Sequence, residues 1–190
     1  FLNNVKNLVK LRGNHDHWAY QHLGHTIGRL REGLYFDEFR SWVNQGGQAT
    51  INSLDTDEKV EEAFRFIDSS KFYHKDVHRL FVHGGIKLGS KAEDNEPNDM
   101  MWDRRLVLNS ILEQHSGDYL VPYDEVFAGH TPTILLSVPH ESTIPIHVLN
   151  VWMVDTGASC NGCLTVMDVD TKEFWQSDPV VELYPGIKAR

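Results

Sequence analysis

At 190 residues, 41% hydrophobic and 24% charged, the chain has the composition of a soluble globular protein long enough to bury one core. Eighteen Lys and Arg against 27 Asp and Glu give a formal charge of −9, which speaks against a general nucleic-acid binder, because such binding needs clustered cations. No apolar run approaches the roughly 20 residues of a membrane helix, no signal-peptide pattern opens the chain, and two cysteines are too few for a disulfide scaffold, so the expected location is the cytoplasm.

Residues 5–11, VKNLVKL, read as a short β-rich run ending at Gly13, with the polar cluster Asn14, His15 and Asp16 on the turn behind it. Residues 17–45 look largely helical, with apolar residues at helical spacing around Phe36, Phe39 and Val43. NQGGQAT (44–50) then breaks the pattern with paired glycines. LDTDEKVEEAFRFID (54–68) is a clearer helix: Asp55 or Thr56 caps it, and Val60, Ala63, Phe64 and Ile67 form one apolar face. HRLFVHGGI (78–86) is a buried-type strand, KLGSKAEDNEPNDM (87–100) a polar loop, and MMWDRRLVLNSILEQ (100–114) a helix or a turn leading into one. EVFAGHTPT (125–133) is again a strand followed by Gly-His and a turn. HVLNVWMVDTGA (147–158) and LTVMDVDTKEFWQ (164–176) are strand-like, joined by a Gly-containing connection. Strands and helices alternate early and strands dominate late, without repeat or linker, which predicts a single α/β domain over residues 1–190.

Three of these runs end in a turn that carries a histidine: LVKLRGNHD, RLFVHGG and EVFAGHT. One His-Gly pair is an ordinary turn. Three at strand ends point to a ligand site, because open α/β sheets collect ligands beyond their strand ends and glycine lets groups approach an ion closely. An Asn oxygen and two imidazoles make a half-shell for manganese, iron or zinc. His22, His25, His74, His115, His140 and His147 are assigned to surface or core.

GNHD (13–16), VHGG (82–85), GHTP (129–132) and DTGA (155–158), in this order, resemble the calcineurin-like metallophosphoesterases. The wording is closest to the bacterial and phage branch of the phosphoprotein phosphatases, which includes lambda-type protein phosphatase and the symmetrical bis(5'-nucleosyl)-tetraphosphatases. WVNQGGQATINSL (42–54) and MWDRR (101–105) extend the resemblance over about residues 8 to 176. It implies a β-sandwich flanked by helices (α-β-β-α layers) and hydrolysis of a phosphate ester or anhydride, with a phosphoprotein or a dinucleoside polyphosphate as substrate. The implied cofactors are two divalent ions, manganese foremost, with iron or zinc as alternatives. By position, Asn14, His83 and His130 resemble ligands of the second metal. His15 resembles the general acid, Asp16 its orienting carboxylate, and Arg104 the phosphate clamp, although Arg105 is an alternative. Without that role, Asp16 is a turn or helix cap, and the Arg pair a solvated helix face. Asp155 reads as shaping the turn after a strand.

The resemblance also implies a Gly-Asp-x-His and a Gly-Asp-x-x-Asp-Arg segment ahead of GNHD, holding the first metal and the bridging Asp, and neither is in this sequence. The expectation is therefore a C-terminal portion lacking the first strands, with half a dinuclear site, very weak activity, and exposed sheet edges that invite self-association. Trp18, Tyr20 or Trp42 are candidates for stacking substrate bases. CNGC (160–163) has zinc-like spacing without a second pair, and is read as hairpin residues rather than a redox or zinc motif. The alternatives to an esterase are a non-catalytic metal- or phosphate-binding module of the same fold and a structural zinc protein using Cys160 and Cys163.

Overall fold

Residues 5–23, 37–136 and 142–186 are described by a computed structural model, in which the chain falls into two units, residues 1–71 and 72–190. The first unit is helical, with α1 (Asn14–Leu23), α2 (Asp37–Trp42), a π-turn (Val43–Gly47), α3 (Gln48–Ser53) and α4 (Asp57–Asp68). Helix α4 begins where the sequence places it. Thr56 is extended, and its hydroxyl accepts from Lys59 N at 3.3 Å. Asp57 and Glu58 in the first turn suit the positive end of the helix. Its face of Val60, Ala63, Phe64 and Ile67 packs on Ala19, Leu23, Phe39, Trp42, Ile51 and Leu54. Val43 joins this core, while Phe36 lies outside the described residues.

Each of the paired glycines has a separate cause. Gly46 takes a φ of 101°, which kinks the helix, and a Cβ on Gly47 would sit 2.6 Å from the buried Trp42 ring. The expected strand at 5–11 reduces to one parallel bridge, Leu11 to Lys71, with Lys71 N donating to Lys10 O (2.8 Å) and Arg12 N to Lys71 O (2.7 Å). Val5, Leu8 and Val9 stay exposed, so no described residue buries that face of the run.

The second unit is α/β. Its sheet runs in the order β1-β2-β3-β5-β4, from β1 (Tyr73–Lys75), β2 (Arg79–Val82), β3 (Glu125–Ala128), β4 (Ile146–Val148) and β5 (Val151–Met153). Strands β2, β3 and β5 are parallel, and the two edge strands run antiparallel to their neighbours. One face supplies the core, with Leu80, Val82, Val126, Ala128, Val151 and Met153 against Met100, Leu106 and Val107. The last three come from α5 (Pro97–Trp102) and α6 (Arg105–Leu112). The polar loop expected at 87–100 therefore holds the start of a helix, with Pro97 in its first turn and Glu96 N donating to Asp99 Oδ2.

The opposite face carries one ring from every strand in register: His74, Phe81, Phe127, Trp152 and His147. Their centroids stack 5.8, 5.1, 6.2 and 4.2 Å apart in that order. Both late strand-like runs are hairpins instead of single strands. Leu149 and Asn150 form a two-residue turn between β4 and β5, and β6 (Thr165–Met167) pairs with β7 (Phe174–Gln176) as a separate ribbon. The turn of that ribbon reaches the aromatic face: Lys172 Nζ lies 5.0 Å from the Phe127 ring centre and 2.6 Å from Glu125. A short helix, α7 (Val180–Leu183), follows. No helix among the described residues is long and apolar enough to cross a membrane.

Candidate functional site

The three parallel strands end level with one another, since Val82 faces Ala128 and Ala128 faces Met153. His83 is the first residue past β2, His130 the second past β3, and Asp155 the second past β5, so all three gather at the carboxyl edge of the sheet. The ladder continues one step beyond the strands, with Gly129 N donating to His83 O and Val154 N to Ala128 O, both at 2.9 Å. The glycines are there for space. A Cβ on Gly84 would lie 3.0 Å from Met100 O, one on Gly85 3.0 Å from Asp103 O, and one on Gly129 3.3 Å from His83 O. His130 takes a φ of 63°, an uncommon value for a residue with a side chain, and its ring stands 5.0 Å from that of His83.

Burial pushes the His83 imidazole down to about 4, with the Asp155 charge pulling it back up and the Arg104 charge lowering it further. It is therefore neutral at pH 7, the form in which imidazole binds a metal. Arg104 donates to His130 O (3.0 Å) and Thr131 Oγ1 (3.2 Å), and Trp102 meets His130 edge-on at 5.7 Å. Arg105 instead folds back on the buried Asp103, its Nε lying 3.0 Å from Asp103 Oδ2. Of the two arginines, Arg104 is thus the one beside the histidine turn. The Asp155 carboxylate accepts from Gly157 N at 3.0 Å, so it shapes its turn as expected. Its electrostatic reach to His83 is the feature the sequence reading missed. The signal was its place two residues past a strand, as for His130.

Asn14, His15 and Asp16 lie in the first unit and form the first turn of α1, not a turn ahead of a helix. Asn14 is buried, and His15 packs edge-on against Trp18 at 5.0 Å. Asp16 accepts from Gly13 N at 2.9 Å, a helix-start contact of the capping kind. The structure thus groups His83, His130, Arg104 and Asp155 in one unit, and Asn14, His15 and Asp16 on one helical turn in the other. Among the described residues no three His, Cys, Asp or Glu side chains form a group that could hold a metal ion. The two imidazoles fit one side of a divalent ion, being adjacent, with His83 uncharged at neutral pH.

Of the remaining histidines, His22 is buried edge-on against Phe39 and His147 stacks on Trp152, while His25 and His140 fall outside the described residues. Cys160 and Cys163 are free thiols in a tight turn in which Cys160 N and Gly162 N both donate to Gly157 O at 2.7 Å. No family model and no curated protein matches the sequence.

Proposed function

We propose that the chain carries a metal-dependent phosphoesterase centre of the calcineurin-like type, acting on a phosphate ester or anhydride in a phosphoprotein or a dinucleoside polyphosphate. The observation that carries this reading is the pair His83 and His130 at the ends of adjacent parallel strands, with the Arg104 guanidinium against the His130 turn. The five-stranded sheet, with helices on one face and the turn of a second β-ribbon on the other, is compatible with the sandwich that the motifs imply.

In this reading His83 and His130 would hold a divalent ion, manganese foremost, which would polarise a phosphoryl oxygen and lower the pKa of bound water, and Asn14 is the further ligand that the motif resemblance implies. Arg104 meets the phosphoryl oxygens through its planar fork, and its bonds to the His130 turn fix where that fork points. His15 gives the leaving oxygen its proton. The Asp and His residues that the motifs place on a first metal have no counterpart in these 190 residues, so turnover of p-nitrophenyl phosphate by this chain is expected to be very weak.

Calorimetric titration with manganese tests the ligand assignment apart from turnover. His83→Ala and His130→Ala are each expected to lower affinity at least tenfold, in proteins that keep the wild-type circular dichroism. Equal affinity in wild type and both variants would overturn the assignment. Manganese binding with no detectable p-nitrophenyl phosphate turnover at all would favour the alternative, a non-catalytic metal- or phosphate-binding module.

A further inference from the structure

We propose that the β6–β7 ribbon is the contact through which two copies of this chain pair, with β7 lying antiparallel against β7 of the other copy about a two-fold axis at Trp175. The inference goes beyond the phosphoesterase reading and does not depend on it. The ribbon has an inner and an outer face. On the inner face Gln176 Nε2 donates to Thr143 O at 2.6 Å, and the hydroxyls of Thr165 and Thr156 lie 2.6 Å apart. The outer face carries Leu164, Val166 and Trp175, which are 63%, 62% and 59% exposed, with Val166 and Trp175 directly opposite each other. A two-stranded ribbon is marginal by itself, and three or more strands are needed before an apolar face stabilises a sheet. Two copies joined edge to edge supply four.

The free edge belongs to β7. Ser177 N donates to Leu164 O at 3.0 Å and Asp168 N to Glu173 O at 2.8 Å, so Glu173, Trp175 and Ser177 turn their backbone groups toward β6. Phe174 and Gln176 turn theirs the other way, and no backbone group of a described residue meets them there. All three residues of β7 are exposed. An unpaired edge of this kind is a template for a second chain. Pairing β7 with itself sets Phe174 against Gln176 of the other copy, in both directions, and so uses every outward group of the two residues. Trp175 then faces its own copy as a non-hydrogen-bonded pair, the kind with the closest side chains. Glu173 faces Ser177, and Asp178 lies beside the turn that carries Lys172, so opposite charges flank the joint and no like charges meet. A slip of two residues loses this: one direction brings Asp178 level with Asp170, and the other sets Trp175 opposite Ser177. The edge strands of the five-stranded sheet, β1 and β4, carry His74, Lys75 and His147 instead, polar and charged side chains that discourage such pairing.

Sedimentation equilibrium of the whole chain over a concentration series is expected to show a monomer–dimer equilibrium. Trp175→Lys puts two ammonium groups opposite each other at the axis, and Gln176→Pro removes an outward N–H. Each is expected to weaken dimerisation ~10-fold or more, in proteins that keep the wild-type circular dichroism. Disulfide trapping reads the register. With Cys160→Ser and Cys163→Ser as background, Trp175→Cys is expected to cross-link into a dimer under mild oxidation, because a non-hydrogen-bonded pair stands at about 4.5 Å between Cα atoms, within disulfide reach. Val166→Cys, equally exposed on the same face but one strand further from the axis, is expected to give no cross-link. A chain that stays monomeric throughout the series overturns the proposal. So does a dimer that keeps wild-type affinity in both Trp175→Lys and Gln176→Pro, since its joint then lies elsewhere, and equal cross-linking of the two cysteine variants overturns the register.

Discussion

Gly162 has no room for a side chain, because a Cβ there would lie 2.0 Å from the Thr156 carbonyl oxygen. That carbonyl is fixed, since it accepts from Cys163 N while the Thr156 hydroxyl bonds Cys163 O at 2.6 Å. Gly162→Ala must therefore push the turn open, and should destabilise the protein by roughly 2 kcal/mol or more in urea unfolding. A loss under ~0.5 kcal/mol would show that the turn is softer than its hydrogen bonds suggest. The same closeness explains CNGC better than its thiols do. The histidines next to glycine were legible in the sequence because crowding at strand ends leaves few residue choices. The fate of Arg104 and Arg105 was not legible, since it depends on Asp103 capturing one of two adjacent, chemically identical groups. Asp16 was legible only as a pair of alternatives, and its bond to Gly13 N belongs to the capping one.

At the level of elements, α4 shows how much a sequence reveals when cap, charge and apolar spacing agree. Thr56 holds one backbone N–H that the helix leaves open, and Thr56→Ala is expected to cost about 1 kcal/mol, measured as a lower urea midpoint at constant slope. Thr56→Ser should restore most of it. The ends of β2 and β3 were equally legible, because each hydrophobic run stopped within a residue of glycine. The two hairpins were not. Leu149 turns the chain with a φ of 53°, and leucine gives no turn signal. The turn is held by the buried Asn150 amide, which donates to Tyr123 O at 2.6 Å, a contact 27 residues away in sequence. The stretch around Asp168 to Lys172 did contain turn residues, and Asp168 Oδ1 accepts from Asp170 N and Thr171 N. There the apolar residues on both sides hid the turn between them. The run at 5–11 failed for the opposite reason: β-favouring residues make no strand without a neighbour to pair along their length.

Across the whole chain, burial lowers histidines in both units, His17 and His22 in the first and His83 and His147 in the second, and takes His22 and His83 down to about 4. Both values lie below the unfolded one of about 6.5, so the unfolded state takes up protons first as pH falls. The stability these groups contribute is complete above pH 6.5 and is lost between there and about 4, at on the order of 1 kcal/mol per pH unit for each. The thermal midpoint should therefore begin to fall near pH 6.5. The lowered carboxylates, Glu125 and Asp76 among them, add their loss only below about 4.5. A midpoint flat down to pH 5 would mean that neither histidine stays neutral in the folded protein. The row of stacked rings across the sheet bears on a different matter, which is where the sheet stops. Its three inner members are phenylalanine and tryptophan, but both outermost members are imidazoles, His74 on one edge strand and His147 on the other. A hydrocarbon ring at an edge would extend the row to any molecule arriving there. A ring with nitrogen atoms prefers water to a further stack, so the pattern carries its own terminator at each end.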